Sequence, residues 1–251
     1  MCKTMKIALV EFELVNNKPE ENTQKMIEII DETVEDTDII IFPEMAFTGF
    51  TMNRELYKVQ DIESILEKSK IVQKAILFGW IEKEGNNFYN SSIFYDPFTE
   101  KTIKYRKQRL FSYRDENKHY SPGKSSIEYE FKSHRLSHLI CYDLRFPELF
   151  RQVKGVELFI VIACWPMSRE DHWKTLLKAR AIENQAFIVG LNRSGTGEIG
   201  EEYGNISVAF DYFGKEIRLD NSCIIKYVDI TEEDFQCMKK WRKKFPVLND
   251  M

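Results

Sequence analysis

The chain has 251 residues, with 36 Lys and Arg against 40 Asp and Glu, a formal net charge of −4, and 43% hydrophobic residues. That is the composition of a globular protein long enough to bury a sizeable core. An acidic balance with no basic stripe argues against nucleic acid or an anionic membrane surface as partner. No apolar run approaches the ~20 residues of a membrane span.

Residues 6–12 are apolar and β-rich and predict a first strand after a short leader. The opening "MCKTMKIALVEFEL" lacks an apolar stretch with a cleavage site, so it does not read as a signal peptide. Met26, Ile29 and Ile30 at helical spacing predict a helix over residues 22–34. "TDIIIFPE" (37–44) reads as a strand buried on both faces. A helix follows at 62–72. Strands at 75–82 and 90–97 flank a turn at Gly85-Asn86-Asn87, and 101–107 alternates before opening into a long polar loop through Gly123. Residues 136–140 predict a strand that meets Cys141 and enters a helix at Pro147. Further on come a buried strand (156–166), a helix (170–186) and a strand (187–193). The tail holds strands near 205–210 and 223–229, a short helix near 231–239 and an irregular basic end. Alternating strands and helices predict an α/β fold, with a mixed sheet because of the pair at 75–97. No linker or repeat divides the chain, which reads as one domain over 1–251.

The five cysteines are Cys2, Cys141, Cys164, Cys223 and Cys237. The count is odd, and neither CxxC nor a zinc-type Cys/His spacing occurs, which points to reduced thiols in the cytoplasm and no metal.

Several strands end on reactive residues: Glu44, Lys107, Cys141 and Cys164. Ligands of open α/β sheets bind where strands run out at their carboxyl ends. A strand-to-helix turn is also where a nucleophile is displayed. The bland readings stand beside this. Cysteine packs well as a small apolar residue, Glu44 fits a solvated strand end, and Lys107 sits in a basic run. A thiol nucleophile usually has a histidine base. Of His119, His134, His138 and His172, His138 shares the strand of Cys141 but at an odd offset that predicts the opposite face. A carboxylate base is the alternative, and partial burial would raise the pKa of Glu44 and improve it in that role.

The segments "FPEMAFTGF" (42–50), "KYRKQRLF" (104–111), "DENKHYSPG" (115–123) and "LICYDLRFPELFR" (139–151) resemble the successive motifs of the nitrilase, or carbon–nitrogen hydrolase, superfamily. "ACWP" (163–166), residues 172–195 and residues 204–217 extend the resemblance. It implies a four-layer α-β-β-α sandwich and an active site of Glu44, Lys107, Glu116 and the nucleophile Cys141, with no cofactor. It also implies a homodimer acting on a small-molecule amide. Within the superfamily the chain is most similar to bacterial ω-amidases. These cleave the terminal carboxamide of 2-oxoglutaramate or 2-oxosuccinamate. An N-carbamoyl-amine, another aliphatic amide or a nitrile is the alternative substrate.

On that reading Lys107 and the backbone N–H of Tyr142 meet the oxyanion, and Glu116 holds Lys107. A dicarboxylate amide also needs a cation for its remote carboxylate. Arg145, Arg114, Arg169 and Arg193 are candidates, with pairing to Glu148 the competing role for Arg145. Trp165 reads equally as pocket wall or core aromatic, and Cys164 reads as packing.

Overall fold

The computed structural model describes residues 4–222 and 224–250. Cys2 and Cys223, the latter the start of the strand predicted at 223–229, lie outside the described residues.

In chain order, β1 (Thr4–Val10), α1 (Pro19–Glu32), β2 (Ile39–Ile41), α2 (Ile62–Val72), β3 (Ala75–Glu84), β4 (Asn87–Asp96) and β5 (Lys101–Arg106) form the first half. A one-turn helix α3 (Glu116–His119) precedes β6 (Tyr129–Phe131), β7 (His134–Ile140), α4 (Pro147–Arg151), β8 (Leu158–Ala163), α5 (Glu170–Asn184) and β9 (Phe187–Asn192). A small hairpin, β10 (Gly195–Thr196) with β11 (Glu202–Tyr203), leads to β12 (Val208–Phe210), β13 (Glu216–Ile217), β14 (Asp220–Ser222), β15 (Ile225–Thr231) and α6 (Glu232–Lys244).

Two mixed sheets result, one ordered β14-β15-β1-β2-β3-β4-β5 and the other β13-β12-β9-β8-β7-β6. Each has a parallel centre, β1-β2-β3 and β7-β8-β9, with antiparallel strands outside it. The alternation of side chains sorts each strand between two cores. Ile7, Leu9, Ile39, Ile41 and Leu77 join the core that contains β7 and β8, whereas Ala8, Val10, Ile40, Ile76 and Phe78 pack with Met26, Ile30 and Ile65 of α1 and α2. On the second sheet α5 supplies Trp173, Leu177 and Ala181. Gly190 permits this close approach, because a Cβ there would stand 2.4 Å from Leu177 Cδ1. The layers are therefore α-β-β-α, as the resemblance implies.

Three differences from the sequence reading have local causes. Regular structure in β2 stops at Ile41, since Pro43 lacks an N–H and Met45 turns left-handed at φ 47°. The basic end is helical rather than irregular: α6 runs to Lys244. Thr231 and Asp234 form a capping box, acids fill its first turn and Arg242, Lys243 and Lys244 its last, all of which favour the helix dipole. Arg242 also donates to the carbonyls of Gln185 and Gly155 at 2.9 and 3.0 Å. The strand β6 and the hairpin β10–β11 were not predicted, being too short to show a period. No helix of the described residues is long and apolar enough to cross a membrane.

Candidate active site

Glu44, Lys107, Glu116 and Cys141, read from four separate motifs, converge at one end of the paired sheets. Lys107, one residue past β5, is fully enclosed. Its Nζ lies 2.8 Å from Glu44 Oε1 and 3.1 and 2.9 Å from the two oxygens of Glu116. Glu44 and Glu116 are themselves 0% exposed, so the three charges share a site without solvent. Burial alone would lower the Lys107 pKa. The carboxylates of Glu116 and Glu44 outweigh it and hold the ammonium well above the usual lysine range.

The sequence reading placed Glu44 at a partly buried strand end; it is buried completely. It is held there by close backbone packing. A Cβ on Gly79 of β3 would sit 2.5 Å from Met45 N and 2.7 Å from Glu44 Cα, so only glycine lets β3 run beneath this turn. Gly79 also donates to Pro43 O at 3.1 Å and accepts from Ala46 N at 2.9 Å.

Cys141 follows β7 directly and adopts φ 47°, a left-handed conformation that costs a non-glycine residue about 1–3 kcal/mol. It begins a 3-10 turn over Cys141–Arg145 and is partly exposed to a cavity of about 420 Å³. Its Sγ lies 3.8 Å from Cys164 O. Enclosure and the Glu44 carboxylate push the thiol pKa well up, and Lys107 opposes them. A thiol so placed needs a base before it can attack. Among the described residues no histidine bonds to Cys141. His138 is buried between the rings of Tyr105 and Tyr129, with Nδ1 3.1 Å from the Tyr129 hydroxyl. His134 bonds to Glu157 and Glu232, and His172 lies against Arg145.

Two contributors, Asn90 and Asp143, were not singled out from sequence, and a third, Cys164, does more than its reading implied. Asn90, in the centre of β4, donates from one amide nitrogen to Glu44 Oε1 at 2.8 Å and to Glu116 Oε1 at 2.7 Å. Its signal was available: "NSS" interrupts an apolar strand, and buried polar residues are the informative ones. Cys164, read as packing, donates its backbone N–H to Glu44 Oε2 at 2.9 Å and lines the cavity. Asp143, fully buried, accepts from Ile140 N, Gln108 N, Arg109 N and the Tyr105 hydroxyl, so it ties the end of β7 to the segment after Lys107. Burial pushes its pKa up to about 6. Glu116 gains a further donor, Phe111 N at 2.6 Å.

The cavity wall carries Arg114, Arg145, Arg169, Tyr142 and Trp165. Trp165 fills both of its expected roles: it packs on Trp173 at 5.3 Å and lies under the Arg145 guanidinium at 4.7 Å. The alternative pairing of Arg145 does not form, because Glu148 bonds to Arg109 at 3.0 Å. Arg114 is ion-paired with Glu201. Arg145 and Arg169 have no carboxylate partner among the described residues. Burial, and then the neighbouring Arg169, lowers the pKa of Arg145. Arg193 does not line the cavity. It is buried, and its guanidinium reaches Leu14 O, Asn16 Oδ1 and Thr196 O at 2.9, 3.1 and 3.2 Å.

Paired mixed sheets between helical layers, with a thiol at the end of one sheet facing the buried acid–lysine cluster of the other, define a hydrolase of the four-layer α-β-β-α class. Residues 6–224 match the family described as carbon-nitrogen hydrolase, and the chain belongs to that family. It is 31% identical to the ω-amidase YafV of Yersinia enterocolitica, over 98% of this chain and 96% of that protein. Identity to the 2-oxoglutaramate amidase of Bacillus subtilis is 30%, with the same coverage. XC1258 from Xanthomonas campestris, a CN-hydrolase superfamily protein with an arsenic adduct in its active site, superposes with a TM-score of 0.88. That match is 26% identical and covers 99% of this chain and 97% of that one. The protein is an amidohydrolase of this superfamily, acting on carbon–nitrogen bonds.

Proposed function

We propose that the protein hydrolyses the terminal carboxamide of a small ω-amide of the 2-oxoglutaramate or 2-oxosuccinamate type, releasing ammonia. The observation that carries this reading is one cavity that joins Cys141 and Lys107 to two arginines, Arg145 and Arg169, lacking carboxylate partners among the described residues. The names of the relatives from Yersinia and Bacillus support the same substrate class.

In this mechanism Glu44 takes the Cys141 proton, and the thiolate attacks the amide carbon. A neutral thiol with a raised pKa could not attack well without that transfer. The electron pair of the C=O bond moves to oxygen, where the Lys107 ammonium and the Tyr142 backbone N–H stabilise it. One such donor is worth roughly 10²–10³ in rate. Collapse expels the amine, which takes the proton from Glu44 and departs as ammonia, leaving a Cys141 thioester. Glu44 then removes a proton from water as it attacks the thioester. The second tetrahedral adduct collapses to the acid, and the proton returns to sulfur. Glu116 keeps Lys107 in place and charged, and Arg145 or Arg169 binds the remote carboxylate.

The test is ammonia release across ω-amides, N-carbamoyl amines and nitriles. Preferred release from 2-oxoglutaramate supports the reading. Carbon dioxide accompanying ammonia from a ureido compound, with ω-amides inert, replaces it by a carbamoyl hydrolase.

A further inference from the structure

The outer wall of the cavity contains a carboxylate that occupies one of its own cations. Glu201 immediately precedes β11 and is ion-paired with Arg114, on the segment after Lys107, and both line the cavity that holds Cys141. Neither is a free surface chain: side-chain exposure is 20% for Arg114 and 18% for Glu201.

The hairpin also holds Glu201 in place. Its backbone carbonyl accepts from Gly197 N at 2.7 Å, and its Oε2 from Ile199 N at 3.3 Å. The opposite strand is fixed through Thr196 O, which accepts from Asn16 Nδ2 at 3.0 Å and from the buried Arg193 at 3.2 Å. Asn17 Nδ2 reaches Glu198 Oε1 at 2.9 Å in the connecting turn. The carboxylate is thereby presented to Arg114 by a braced element.

Charge on this wall is consequently limited. Lys107 is taken up by Glu44 and Glu116 deeper in the cavity. Glu202 also lines the wall, and among the described residues its Oε1 accepts a long contact from Thr196 Oγ1 at 3.5 Å. Three arginines opposed by two glutamates leave the wall a single formal positive charge. Specificity is a difference of affinities, and an unmatched like charge in the site rejects a ligand as effectively as a missing contact.

We infer that Glu201 is a specificity-determining residue that blocks Arg114 and so restricts the enzyme to amides carrying one carboxylate, excluding those carrying two. This rests on the ω-amide reading above. In that reading the single carboxylate of the substrate, bound at Arg145 or Arg169, neutralises the one net positive charge of the wall, while a second one on the same carbon would add an unmatched negative charge beside Glu201.

The experiment compares kcat/KM for three probes: glutaramate, 2-(2-carbamoylethyl)malonate, which adds a second carboxylate to it, and neutral butyramide. The proteins are the wild type, Glu201→Gln, Glu201→Ala and the double variant Arg114→Gln/Glu201→Gln. The ratio of dianion to monoanion should rise by about 10-fold or more in both single variants. It should fall back in the double variant, where the freed cation is gone. An unchanged ratio in the single variants, or an equal rise in the double variant, overturns the inference. Failure of the substrate reading shows separately, as equal use of glutaramate and butyramide by the wild type.

Discussion

Glu44 and Cys164 belong to different sheets, and the backbone N–H of Cys164 donates to Glu44 Oε2 at 2.9 Å. A second contact runs back, from Cys164 Sγ to the Glu44 carbonyl at 3.3 Å. The orientation of the carboxylate is therefore set by the register of one sheet on the other. Asn90 and Lys107 occupy its remaining oxygen, Oε1, from within its own sheet. That leaves Oε2 as the atom on the Cys164 side, where the Cys141 sulfur also lies. In the mechanism proposed above, proton transfer between thiol and carboxylate would depend on the fold holding the two sheets together at this end, where Met45 and Cys141 both take left-handed φ.

Cys141→Ala should lower kcat by about 10³-fold or more, since the covalent path is lost. The deleted sulfur is small and the fold should persist, as judged by circular dichroism and an unchanged denaturation midpoint. Activity above a few per cent of wild type would remove Cys141 from the nucleophile role. A thioester mass on wild-type Cys141 after rapid quench is the positive counterpart.

Lys107→Ala should depress kcat far more than it raises KM, because the ammonium acts on charge that appears only in the transition state. It should also destabilise the fold by about 3–5 kcal/mol, leaving Glu44 and Glu116 buried without their counter-ion. Lys107→Arg should not restore the rate, because the wider guanidinium does not fit a site shaped for one nitrogen. A change confined to KM would make Lys107 a substrate anchor instead.

The reach of sequence reasoning here follows from what each residue reports. Glu44, Lys107, Glu116 and Cys141 were legible because each sits in its own distinctive motif, and the parallel centres of both sheets were legible as continuous apolar runs such as "DIIIF" and "LFIVIA". Asn90 and Asp143 were not, because what they do lies in contacts to residues distant in the chain: Glu44 is 46 positions from Asn90, and Gln108 is 35 from Asp143. Arg193 and Arg145 looked alike as strand-end or turn cations. Only the surroundings separate them, since Arg193 is saturated by carbonyls and Arg145 stacks on Trp165 at the cavity. The hairpin carrying Glu201 left no trace because two-residue strands have no period.

Asn90→Asp replaces a shared donor with a third carboxylate between Glu44 and Glu116. Like charges at this distance cannot all stay ionised in a dry site. The variant should be less stable than Asn90→Ala at about pH 8, and the gap should narrow at about pH 5, where one carboxyl can keep its proton. Urea denaturation at both pH values measures it. Equal destabilisation of the two variants at each pH would mean that the Asn90 amide is not serving the two carboxylates.

His138 gives an acid-stability prediction. Burial lowers its pKa from 6.5 to about 3, with the Tyr129 hydroxyl and the Tyr105 ring as its neighbours. The unfolded chain takes up a proton near 6.5 that the folded protein refuses until about 3. The contribution is therefore fully present above 6.5 and is lost as pH falls through that window, by about 1.4 kcal/mol per pH unit at the steepest. Glu82 and Glu157, held near 2 in the fold, add to the loss only below their usual 4.5. His138→Phe should then flatten the stability profile between 4.5 and 6.5, whatever its offset at neutral pH. An unchanged slope in that interval would show that His138 protonates in the folded state.

The remote carboxylate supplies the last prediction. If Arg145 or Arg169 binds it, part of that binding energy holds the amide carbon against the Cys141 sulfur, so its loss should lower kcat as well as raise KM. Wild type should prefer glutaramate over butyramide by at least about 10-fold, the equivalent of about 1.4 kcal/mol. Arg145→Ala or Arg169→Ala should erase most of that preference by acting on the charged substrate alone. Arg114→Gln/Glu201→Gln should erase little of it, because removing both partners of that ion pair leaves the net charge of the wall unchanged. Arg193→Ala should lower both substrates together, since it braces Leu14 and the Thr196 strand and does not line the cavity. The measurement is kcat/KM for both amides in all four variants. Equal use of the two amides by the wild type would leave a general cysteine amidase in place of an ω-amidase. A preference that survives both Arg145→Ala and Arg169→Ala would put the carboxylate elsewhere in the cavity.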